Sequence, residues 1–210
     1  MNHIKNYYCV EMETKHGKVI IEGPLPPERL EQYTLHENLT SFRPPVQQKL
    51  ALVEIAGFEE GRIVIIRNED LIVGYVSYLY PDPFERWSED KIDNMIVLGG
   101  IEVTPPYRGC GVGKKLLEVS FIGDEMEDYL VITTEYYWHW DLKGTGLNVW
   151  EYRKMMEKLM STVGFVPFTT DDPEITCHPA NCLMARIGKR VNEDTIERFN
   201  QLRFKNRYMY

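Results

Sequence analysis

The sequence predicts a single α/β domain of the α+β kind. Three observations point there. Runs rich in Val, Ile and Tyr at 62–66, 71–78, 95–103 and 129–134 read as strands. Between them apolar residues recur at helical spacing, as at Val46, Leu50 and Val53. The stretch 100–117 then sets a strand end, a turn with three glycines and two prolines, and a helix start in succession.

Taken in order, residues 9–14 and 18–21 flank His16-Gly17 and predict a hairpin. Pro26-Pro27, followed by Glu28, opens a helix to about Tyr33. Pro44-Pro45 starts a second helix over 46–56, with Val46, Leu50 and Val53 on one face and Gly57 as its stop. Residues 62–66 and 71–78 flank Asn68-Glu69-Asp70 as a second hairpin. Residues 81–93 are polar around Trp87 and read as a loop or an extra turn. A strand at 95–103 feeds the glycine loop, and the helix after it extends to Met126. A strand at 129–134, a helix at 148–160 ended by Gly164, two short strands at 165–168 and 181–186, and a last helix at 191–204 complete the order. No linker, repeat or low-complexity tract interrupts it, so one domain over 1–210 is expected.

Composition narrows the function. A net charge of -8 argues against general binding of nucleic acid or anionic membrane. No apolar run approaches membrane-spanning length and the start carries no signal-peptide core, so a soluble, cytoplasmic protein is expected. Cys9, Cys110, Cys177 and Cys182 are too scattered for a disulfide framework. Cys177-His178 with Cys182 lacks a second cysteine pair, so no metal is expected.

The glycine turn carries the chemistry. Gly109, Gly111 and Gly113 allow positive φ and close backbone approach. Successive N–H groups there can form a nest, and the next helix adds its positive end. Arg108, Lys114 and Lys115 place cations at the same spot, so a diphosphate is the natural guest. A Walker A loop would need a hydroxyl where Lys115 stands. A dinucleotide fingerprint would need G-x-G-x-x-G, whereas this chain has Arg108-x-x-Gly111-x-Gly113.

That pattern, after Val103-x-Pro105 and before Lys114-x-Leu116-Leu117, resembles the acyl-CoA loop of the GNAT superfamily of N-acetyltransferases. The element order resembles that fold from about 10 to 186, with 190–210 as a C-terminal helical extension. The resemblance implies a mixed central sheet, splayed at the acetyl-CoA site and flanked by helices. It also implies that the backbone of Ile101 and Val103 holds the pantetheine. The diphosphate then falls to the amides of Arg108, Gly109, Cys110, Gly111, Val112, Gly113 and Lys114. Further stretches, Phe42-Arg43-Pro44-Pro45, the aromatic run Tyr136 to Trp140, Trp150-Glu151-Tyr152-Arg153, 178–189 and Arg207-Tyr208-Met209-Tyr210, resemble the acetyltransferases of acetoin utilization in bacilli. That likeness implies acetylation of a lysine on acetyl-CoA synthetase, switching it off. A monomer or weak oligomer is expected.

Amine acetylation needs a proton acceptor, donors for the thioester oxygen, and an acid for the leaving thiolate. Many relatives carry the base an even number of residues before the equivalent of Val103. Here those positions are Val97, Gly99 and Ile101, which cannot take a proton. Glu102 points to the other strand face unless a bulge at Gly99-Gly100 re-aims it, and Glu135 ends the neighbouring strand. Met160 stands where the superfamily often has its acidic Tyr, leaving Tyr152, or Tyr136 and Tyr137, as substitutes. The aromatic run also suits a protein-docking surface. Two other functions fit the same features: acetylation of a small cationic amine, and inhibition of a partner by docking of an acetyl-CoA-bound protein.

Overall fold

The computed structural model describes residues 1–205. Arg207, Tyr208, Met209 and Tyr210, part of the resemblance, lie outside the described residues. The chain divides into two compact units: Asn2–Leu79 with Leu98–Glu125, and Tyr80–Val97 with Met126 onward and Met1.

In the first of these units β1 (Tyr8–Thr14) and β2 (Gly17–Gly23) form the expected antiparallel hairpin. Gly17, at φ +94, supplies the left-handed turn. A short α1 (Pro27–Glu31) follows. Next comes β3 (Thr34–Leu35), a strand too short to leave a period in the sequence. After α2 (Pro45–Gly57), β4 (Arg62–Asn68) and β5 (Leu71–Leu79) make the second hairpin, and β3 lies parallel to β5. The strand β6 (Met95–Val103) has the expected bounds; its last residues belong here and Met95–Val97 to the other unit. The core gathers Leu30, Leu39, Leu52, Ile63, Ile65, Ile72 and Tyr75. Each such side chain contributes about 1.5–3 kcal/mol through burial.

One expectation is refined here and another changes. Val46, Leu50 and Val53 do share a face of α2; Val46 is 76% and Leu50 65% exposed, while Val53 packs against the core. The core instead takes Gln48, Leu52 and Ala56, a second stripe at i, i+4, i+8. The helix after the glycine loop, α3 (Val112–Ser120), stops short of Met126. Phe121 leaves the helix and sets its ring edge-on to Tyr78 at 5.8 Å, and Gly123 follows two residues on.

In the second unit the polar stretch forms a 3-10 turn, Arg86–Ser88, that buries Trp87. The strand β7 (Leu130–Glu135) runs parallel to β6, pairing Met95↔Leu130, Ile96↔Val131 and Val97↔Ile132. A short α4 (Leu142–Thr145) precedes α5 (Val149–Ser161). Asn148 and Glu151 close a capping box on α5. Then come β8 (Val166–Phe168), α6 (Pro173–Thr176), β9 (Cys182–Ile187) and α7 (Glu193–Arg203). The strand β9 lies antiparallel to both β7 and β8. The last helix is part of this unit's core: Phe199 and Leu202 are buried with Trp87, Met95, Leu130 and Leu183. The strands make a nine-stranded mixed sheet in the order β1-β2-β4-β5-β6-β7-β9-β8, with β3 on β5.

Candidate active site

The turn between β6 and α3 is built from its glycines. Gly109 and Gly111 sit at φ +75 and +80, a region that costs a side-chain-bearing residue about 1–2 kcal/mol. Gly111 is the N-cap of α3, and no side chain caps the helix. The first amides of α3 therefore lack a side-chain acceptor, at the end where the helix dipole is positive. Gly113 differs. Its φ is ordinary, and a Cβ there would meet Val103 Cγ2 at 3.8 Å, a normal contact. The fold does not require glycine at 113, whereas a guest lying against the backbone would.

The cations around the cradle are partly engaged. Arg108 Nε donates to the Val103 carbonyl at 2.9 Å, fastening the strand end to the loop. Lys115 and Lys114 reach Glu118 at 2.5 and 3.5 Å. The Lys115 hydrogen bond, above all, holds the Glu118 carboxyl below its ordinary range. Cys110 is half-buried beside Arg108. Ile101 and Val103 are half-buried and alternate with buried Gly100 and Glu102, which places Glu102 on the opposite face from Val103.

Glu102 is buried at 5% exposure. Its Oε1 accepts from the Thr40 and Ser41 amides, both at 2.9 Å, and from Ser41 Oγ at 2.7 Å. Its Oε2 accepts from the Tyr75 hydroxyl at 3.0 Å. Burial, and then the Glu102 charge, push the Tyr75 phenol above its ordinary range, keeping it a donor. Glu102 thus ties the segment after β3 to β6. Beside it, a Cβ on Gly100 would fall 3.1 Å from the Phe42 ring. Thr40, Ser41 and Tyr75 were not singled out from the sequence; of this neighbourhood only Phe42-Arg43-Pro44-Pro45 gave a signal.

Glu135 ends β7 in the other unit. Its Oε2 accepts from Trp140 Nε1 at 3.1 Å and its Oε1 from Thr133 Oγ1 at 3.3 Å. Burial raises its carboxyl above the ordinary range, against these two hydrogen bonds. Trp140 also stacks on Tyr152, with centroids 5.1 Å apart and planes at 17°. Two sequence candidates, Glu135 and Tyr152, therefore share one tryptophan. Cys182 faces Glu135 across the strand pair, and burial, then Glu135, push its thiol up to about 12. His178 packs on Tyr137 at 4.2 Å.

An uncapped helix behind a glycine cradle, next to the end of a strand in a mixed sheet, is the frame of an acyl-CoA transferase. Residues 32–121 match the acetyltransferase (GNAT) family. The chain belongs to this family and is an acetyl-CoA-dependent N-acetyltransferase. Over its full length it is 61% identical to acetoin utilization protein AcuA of Bacillus licheniformis, covering 100% of both chains. It is 60% identical to AcuA of Bacillus subtilis at the same coverage. The crystal structure of an acetoin utilization protein from Exiguobacterium sibiricum superposes with a TM-score of 0.97, at 55% identity over 99% of this chain and 98% of that one. Among the described residues no helix is long and apolar enough to cross a membrane.

Proposed function

We propose that this chain transfers the acetyl group of acetyl-CoA to a lysine side chain of acetyl-CoA synthetase, in the cytoplasm and in the service of acetoin utilization. The observation that carries the donor side is the cradle: left-handed Gly109 and Gly111, an uncapped α3, and a Gly113 that the fold alone does not need. The amides from Arg108 to Lys114 hold the diphosphate, and the β6 backbone at Ile101 and Val103 lies along the pantetheine. The likeness to acetoin utilization proteins supports the acetoin setting, and the acceptor is what the sequence resemblance implies.

Lysine is protonated below about pH 10, so it must lose a proton before it attacks. Glu135 takes that proton, directly or through water. Burial raises the Glu135 carboxyl, which suits a base, whereas both Glu102 oxygens are taken up by four donors. The amine nitrogen bonds to the thioester carbon, the carbon–sulfur bond breaks, Tyr152 gives its proton to the departing thiolate, and the second proton that the nitrogen sheds as the amide forms restores the phenol. Glu102 acts by position, holding the segment at Thr40-Ser41 against β6.

Intact-mass spectrometry tests the reading. Acetyl-CoA synthetase incubated with acetyl-CoA and this protein is expected to gain an acetyl group on lysine and lose activity. Absence of that gain, or equal turnover on spermidine, overturns it.

A further inference from the structure

The second unit carries a continuous line of rings outside the Glu135–Trp140–Tyr152 group, exposed at Trp138 and Trp150 and half-buried at Tyr136, Tyr137 and His178. Trp150 stacks over His178 at 6.5 Å and 22°, and His178 packs on Tyr137 at 4.2 Å. Tyr137 meets Trp138 edge-on at 5.4 Å, and Trp138 stacks on Tyr136 at 4.8 Å and 13°. Trp138 and Trp150 are each 49% exposed. Exposed tryptophans joined into one surface are uncommon on a face that only meets water, and such rings dominate protein interfaces.

The line has a charged border. The Tyr136 hydroxyl donates to Glu174 at 3.3 Å. Burial, and then Glu174, Asp172 and Glu85, push that phenol up. Glu85 is itself pushed up by burial and then by Asp82, Glu174 and Asp172, so these carboxylates crowd one another. The nearby cation, Arg86, is committed to Asp171 at 2.6 Å and Asp172 at 3.4 Å. Asp82, Glu85 and Glu174 have no ion-pair partner among the described residues. Ring faces beside uncompensated carboxylates attract cations and repel phosphates.

We propose that the ring line from Trp150 to Tyr136, with Glu174, Glu85 and Asp82 at its edge, docks a lysine- and arginine-bearing segment of the protein acceptor. This rests on the protein-lysine reading above and adds what that reading lacks, a preference for basic flanks around the acetylated lysine. Guanidinium and ammonium groups lie over the Trp138 and Trp150 faces while their charge meets Glu174 and Glu85. Nucleic acid and anionic lipid are disfavoured by the same carboxylates.

The test uses the full chain and two fluorescent peptides, each with one central lysine, flanked by Arg and Lys in one and by Glu in the other. Anisotropy at low salt is expected to show the basic peptide binding roughly tenfold or more tightly. Trp138→Ala should weaken it by about threefold to thirtyfold, Trp138→Phe should restore most of that, and Glu174→Lys with Glu85→Lys should cancel the preference. Acetyl-CoA affinity, read by calorimetry, should not move. Equal binding of both peptides, or no effect of Trp138→Ala, overturns the proposal. Turnover is read separately: binding without acetylation of any peptide sinks the lysine-transfer reading and leaves the docking surface standing.

Discussion

Replacing Glu102 separates a positioning carboxylate from a catalytic one. In Glu102→Ala four hydrogen bonds go at once. Thr40 and Ser41 are exposed, so water replaces most of what their three donors lose. Tyr75 is fully buried, and its orphaned hydroxyl costs about 1–3 kcal/mol. The vacated space adds about 1 kcal/mol more, while removal of a buried charge returns part of its desolvation cost. The net is a loss of about 2 kcal/mol, or roughly 4–8 °C in Tm for a chain of this length. Glu102→Gln keeps an oxygen for the Thr40-Ser41 donors, and the Tyr75 hydroxyl can turn to accept; it should cost about 1 kcal/mol. Urea unfolding and acetyl transfer are measured on both variants. Glu102→Gln should keep its rate within about threefold, because general-base loss would cost about a hundredfold to ten-thousandfold. A Glu102→Gln protein of full stability whose rate falls a hundredfold would refute the argument and make Glu102 the base.

Glu135→Gln should cut kcat by about a hundredfold or more and remove the acid limb of the pH–rate profile, which in the parent protein should lie above the ordinary carboxylate range. The stability sign follows from the same raised carboxyl: in the window between the unfolded and folded values the native state keeps the proton and the unfolded state does not. Stability from this group is therefore full below the unfolded value and lost as pH rises through the folded one, and Glu135→Gln should flatten that fall in urea titrations at several pH values. Gly113→Ala should leave stability within about 1 kcal/mol, since the added Cβ finds an ordinary contact, yet weaken acetyl-CoA binding tenfold or more by calorimetry. Unchanged affinity would remove the cradle argument. Leu52→Ala should cost about 2–5 kcal/mol and Leu50→Ala less than about 0.5 kcal/mol, although both leucines lie on the same helix. Equal losses would mean that the wrong face of α2 has been assigned to the core.

Much of this protein follows from its sequence by itself. The bounds of β6, the two hairpins and the glycine turn are local matters. Alternation, β-branching and the φ freedom of Gly109 and Gly111 act within a few residues and leave their mark on the chain. The loop motif reaches further and carries the family. Tertiary structure decided the rest. Two apolar stripes run along α2, and only the packing partner chose Leu52 and Ala56 over Val46 and Leu50. α3 ends at Ser120, where Phe121 leaves the helix and packs edge-on to Tyr78. Glu102 and Glu135 read alike as carboxylates at strand ends. In space they differ: Glu102 gathers donors distant in sequence, Thr40, Ser41 and Tyr75, while burial raises the Glu135 carboxyl against the hydrogen bond from its near neighbour Trp140. A carboxylate's basicity depends on what surrounds it in space, and no spacing along the chain records that.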